Sequence, residues 1–103
     1  MSDFHAVCTT AEVPAGESRM FVVSDQAIGL FNVGGQFYAI DNTCPHAGAS
    51  LAHGYLDGDI VSCRIHHWRF CVRDGKYVDQ DKPTCNVRTY RVRVVDGQVE
   101  IAL

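Results

Sequence analysis

The chain has 103 residues, with nine Lys or Arg, twelve Asp or Glu, five His and a formal net charge of −3; 47% of it is hydrophobic and 20% charged. That length supports one domain with a modest core, too short for a reductase and a carrier domain together, and the balance of apolar and charged residues argues against disorder. An acidic chain with no run of Lys or Arg gives no electrostatic support for binding nucleic acid or an anionic membrane.

The first eight residues, Met1 to Cys8, lack the basic and apolar regions of a signal peptide, and no stretch approaches the length of a membrane-spanning helix. A cytoplasmic protein without membrane or nucleic-acid partners is expected. Short strands are predicted at 20–24, 27–33, 36–40 and 59–63, and at 89–95 paired with 98–103. Gly34-Gly35, Asp74-Gly75 and Asp96-Gly97 supply the tight turns between such segments, and none of these glycines belongs to a phosphate-binding motif. Alternation in Tyr90-Arg91-Val92-Arg93-Val94 predicts a half-buried strand with Tyr90, Val92 and Val94 inward. The expected class is all-β.

Chemistry concentrates between residues 43 and 70. Cys44-Pro45-His46 is followed, after sixteen intervening residues, by Cys63-Arg64-Ile65-His66. Two thiolates and two imidazoles from two loops suit a [2Fe–2S] cluster in which each loop gives one ligand to each iron. The same four side chains also suit one tetrahedral structural Zn²⁺, although familiar zinc fingers group their cysteines and histidines separately. No nucleophile elbow surrounds Ser2, Ser18, Ser24, Ser50 or Ser62, so hydrolysis has no support.

The pattern resembles the Rieske family from Gly35-Gln36-Phe37-Tyr38-Ala39-Ile40 through Leu103. Asp41-Asn42-Thr43-Cys44-Pro45-His46-Ala47-Gly48-Ala49 is similar to its first cluster loop and Cys63-Arg64-Ile65-His66-His67-Trp68-Arg69-Phe70 to its second. The resemblance implies an antiparallel β-sandwich or barrel spanning 1–103 as a single domain. Its base would comprise 1–42 and 71–103, with a cluster-binding subdomain inserted at 43–70. It also implies that Cys44 and Cys63 hold the buried iron while His46 and His66 hold the outer one. Neutral imidazoles leave the oxidised cluster less negative than four thiolates would, which raises the potential from about −400 mV to between about −150 and +300 mV. Ala49, Ile65, Trp68 and Phe70 stand where high-potential members carry extra cysteines, a serine and a tyrosine, so a potential near the bottom of that range is expected.

The function implied is single-electron transfer, from a flavoprotein reductase to a terminal oxidoreductase such as a ring-hydroxylating dioxygenase, without catalysis by this chain alone. Val87 through Val94 with Asp96-Gly97 also resembles the small subunit of NAD(P)H-dependent nitrite reductase, which would make that enzyme's large subunit the partner. The chain has no second iron site for oxygenase chemistry. His67 departs from the family, which commonly has glycine there. Cys8, Cys71 and Cys85 are read as free thiols filling small apolar sites, and His5 and His53 lack ligand spacing. Pro83 lies in a segment resembling the family's cluster-covering loop. Trp68 and Phe70 are read as core.

Overall fold

The computed structural model describes residues 3–45, 48–65 and 67–103. Among these, ten strands form three antiparallel sheets with no helix beyond single 3₁₀ turns. β1 (Phe4–Thr9), β10 (Gln98–Ala102) and β9 (Val92–Val95) form the first sheet; β2 (Ser18–Val23), β3 (Gln26–Val33), β4 (Gln36–Asp41) and β8 (Thr89–Tyr90) form the second. β5 (Tyr55–Asp57), β6 (Ile60–Ser62) and β7 (Arg69–Cys71) form the third. The all-β expectation holds.

β3 lies between two apolar cores, which is why it has an almost uninterrupted buried run instead of alternating polar residues. Ile28 and Leu30 pack with Val13, Ala39, Val99 and Ile101 in the first core. Phe31, of opposite parity, packs with Ile40, Leu51, Val61, Phe70 and both Cys44 and Cys63 in the second. The second core thus joins the four-stranded sheet to the three-stranded one and encloses the two candidate cysteine ligands.

Three strands, β1, β5 and β7, are additional to those predicted. β5 and β7 have only three residues each, too few for a readable period. The predicted strand at 89–95 divides: Tyr90 pairs with Ala39 in the second sheet, whereas Val92 pairs with Ile101 in the first. The chain changes sheets at Arg91, so one alternation does not run through the segment. Tyr90 is buried as expected, but Val94 is 49% exposed and not inward-facing. The paired turn glycines behave as the sequence suggests, with Asp96 and Gly97 at φ 51° and 76° joining β9 to β10.

Candidate metal centre

The two cysteine loops share one backbone plan. In the first, Thr43 bridges Ser50, the Cys44 N–H donates to the Ala49 carbonyl at 2.9 Å, and four residues, 45–48, close the loop. In the second, Ser62 pairs with Arg69, the Cys63 N–H donates to the Trp68 carbonyl at 2.8 Å, and four residues, 64–67, close the loop. The fourth residue after each cysteine is left-handed: Gly48 at φ 69° and His67 at φ 56°. Glycine adopts that conformation freely, while a residue with a Cβ pays roughly 1–2 kcal/mol. This backbone demand accounts for the family's usual glycine at the position of His67. The His67 ring stacks on Tyr55, with centroids 6.3 Å apart and planes 24° apart.

A polar network holds the first loop to the second sheet. Asn42 is buried; its Nδ2 donates to Ser50 Oγ at 2.9 Å, and its Oδ1 accepts from the Ala52 N–H at 2.9 Å and from Ser50 Oγ at 3.1 Å. Its backbone N–H donates to the Ala27 carbonyl and its carbonyl accepts from the Leu51 N–H. One residue earlier, Asp41 Oδ1 accepts from the Tyr90 hydroxyl at 2.5 Å. Burial, followed by this hydrogen bond, pushes the Tyr90 phenol up to about 12. The second loop is held differently: the Arg69 backbone and guanidinium both donate to Asp79, and Trp68 stacks on Tyr77 with centroids 4.6 Å apart.

Cys44 and Cys63 are 1% and 0% exposed, and their side chains lie within hydrogen-bonding reach of each other. Burial pushes the Cys63 thiol up, while the Ile65 N–H directed at its sulfur opposes that shift. Two adjacent cysteine sulfurs in an apolar core are suitable ligands for a metal centre, which binds them as thiolates. The donor set fits the buried half of an iron–sulfur cluster. His46 and His66 lie outside the described residues.

The remaining cysteines are free. Cys8 is buried, as expected, but Cys71 and Cys85 are only half-buried; Cys71 Sγ is 4.0 Å from Asp59 Oδ2 and Cys85 packs against the second core. Phe70 is fully buried and Trp68 packs on the same core, as the core reading requires. Pro83 opens an exposed 3₁₀ turn ending at Cys85. Asn42, Ser50 and the Asp41–Tyr90 pair hold positions that the ligand motifs do not assign. An asparagine immediately after an apolar strand was the available signal for Asn42, whereas Tyr90 lies 49 residues from Asp41 and only the fold brings them together.

A model of the Rieske [2Fe-2S] domain matches residues 3–91. The biphenyl dioxygenase ferredoxin subunit of Pseudomonas sp. strain KKS102 is 40% identical over 93 residues, which is 88% of this chain and 84% of that protein. Among solved structures, the complex of reduced oxygenase and oxidised ferredoxin in carbazole 1,9a-dioxygenase contains a chain that superposes with TM-score 0.85 at 33% identity, covering 94% of this chain and 99% of that one. The putative NADH-dependent nitrite reductase small subunit of Mycobacterium tuberculosis superposes with TM-score 0.88 over 100% of this chain and 96% of its own, at 23% identity, a likeness of fold alone. The chain belongs to the Rieske [2Fe-2S] family. Its cofactor is accordingly a Rieske-type [2Fe-2S] cluster, not structural zinc. When bound, that cluster supplies a one-electron couple.

Proposed function

We propose that this protein is the ferredoxin component of a ring-hydroxylating dioxygenase system, taking single electrons from a flavoprotein reductase and delivering them to a terminal oxygenase. Cys44 and Cys63 hold one iron, and His46 and His66 hold the other. The observation that carries the reading is the pair of matched four-residue loops that bring two buried thiols together. The ferredoxin identity of the dioxygenase relatives supports the choice of partner.

In this reading the segment 43–70 forms the cluster-binding part of a single domain, and 1–42 with 71–103 forms its base. The protein works in the cytoplasm; among the described residues no helix is long and apolar enough to cross a membrane. The chain's own residues bury the thiol side, exclude water from it and fix the two loops. Substrate chemistry belongs to the partner. The expected potential is near the bottom of the Rieske range, with the Ile65 amide the donor directed at Cys63.

Gel filtration of the native protein, followed by anaerobic mixing of its reduced form with a ring-hydroxylating oxygenase component, tests this proposal. A monomer whose cluster is reoxidised by the oxygenase is the expected result. Co-elution with a large sirohaem- and flavin-containing protein would assign the chain to nitrite reduction instead.

A further inference from the structure

The second loop presents an exposed cationic and aromatic patch. The Arg64 guanidinium lies 5.9 Å from the ring centroid of Tyr55, and His67 stacks on the same Tyr55. Tyr55 is 56% exposed and Ile65 46%, and Arg64 and His67 are exposed as well. Arg64 and Ile65 directly follow buried Cys63 in the chain.

Two independent features distinguish this patch. Arg19, Arg69, Arg73 and Arg93 are paired with Glu12, Asp79, Asp59 and Glu100, whereas among the described residues Arg64 and Arg88 each lie over an aromatic ring with no carboxylate in ion-pair reach, and of these two Arg64 is the one that directly follows Cys63. A guanidinium resting on a ring is already ordered, yet its in-plane N–H donors stay available. The second feature is backbone strain. His67 occupies a left-handed position whose counterpart in the first loop is Gly48, so a side chain is kept where the backbone favours none, and that side chain extends the patch.

We propose that Arg64, Tyr55, Ile65 and His67 form a docking surface for a redox partner whose complementary face presents a carboxylate beside an apolar side chain. The carboxylate takes the fork of Arg64, and the apolar side chain meets Ile65 and the Tyr55 ring. A local positive charge on a chain of net charge −3 favours approach of an acidic face to this loop. This inference rests on the electron-carrier reading above and adds the chemistry of the partner's face.

Two small haem proteins serve as probes for the reduced, cluster-loaded protein: cytochrome b5, whose haem edge is ringed by carboxylates, and cytochrome c, whose edge is ringed by lysines. Arg64→Glu is expected to slow electron transfer to cytochrome b5 about ten-fold at low ionic strength and to speed transfer to cytochrome c, both effects fading toward about 0.5 M salt. Tyr55→Leu, which removes the ring that orders Arg64, is expected to slow cytochrome b5 reduction about three-fold. If Arg64→Glu does not hold its cluster, Arg64→Gln provides the same comparison with a smaller change of charge. Cluster-loaded variants whose rates with both probes stay within about two-fold of the parent would overturn the docking proposal alone. A cluster-loaded parent that reduces neither probe would overturn the carrier reading, and the docking surface with it.

Discussion

The two cysteine loops follow the same backbone plan but are secured by different means. Each closes four residues with a hydrogen bond from the cysteine N–H and turns through a left-handed fourth residue. The first is tied down by polar side chains, buried Asn42 with half-buried Ser50 and half-buried Asp41 with buried Tyr90, and turns on glycine. The second is tied down by the Arg69–Asp79 pair and by rings, Trp68 on Tyr77, and turns on a histidine that stacks on Tyr55. A shared plan with unlike supports shows that the centre demands the loop shape and the buried thiol, not any one way of anchoring them. The first loop, held by hydrogen bonds in a buried site, should be the more sensitive to single polar substitutions.

Asn42→Ala should have the largest effect. It leaves the Ala52 N–H and the Ser50 hydroxyl without their partner in a buried site, for a loss of about 3 kcal/mol. Guanidinium unfolding of cluster-loaded protein measures that loss, together with faster bleaching of the cluster. A loss below about 1 kcal/mol would show that the two loops are anchored alike.

Tyr90→Phe should cost about 2 kcal/mol, because it removes a partly buried hydrogen bond to a carboxylate. The folded Tyr90 phenol stands at about 12, above the roughly 10 of an unfolded tyrosine. A raised value means the neutral form is stabilised by folding, so its contribution is complete below pH 10 and is lost as pH rises toward 12. The stability difference between parent and variant should therefore shrink over that interval. Denaturation at several alkaline pH values checks the sign.

The smallest effects concern the two left-handed positions. A Cβ at Gly48 meets no atom of the described residues within 4 Å, so Gly48→Ala should cost about 1 kcal/mol through backbone conformation. His67→Gly relieves backbone strain but loses the Tyr55 stack and loosens the unfolded chain, so the net change should stay within about 0.5 kcal/mol of zero. A cost above about 1 kcal/mol for His67→Gly would make the stack a structural anchor of the second loop.

Much of the proposed site is legible in local sequence because its candidate ligands lie close together along the chain. Cys44, His46, Cys63 and His66 and the tight turns all fall within short windows. Elements set by distant contacts were not legible. β5 and β7 are too short to show a period, and the alternation that points Val94 inward does not show the sheet change at Arg91, which depends on pairing with Ala39 and Ile101, far apart in sequence. The roles of Asn42 and Tyr90 likewise arise from partners that only folding supplies.

The central claim is that each loop gives one thiolate and one imidazole to a single cluster. EPR of the anaerobically purified, dithionite-reduced protein, recorded beside His46→Cys, tests it most directly, because nitrogen ligation lowers the average g-value of the reduced cluster. The account predicts a low average g in the parent that rises on substitution. A high average g like that of an all-thiolate ferredoxin, unchanged in His46→Cys, would contradict it.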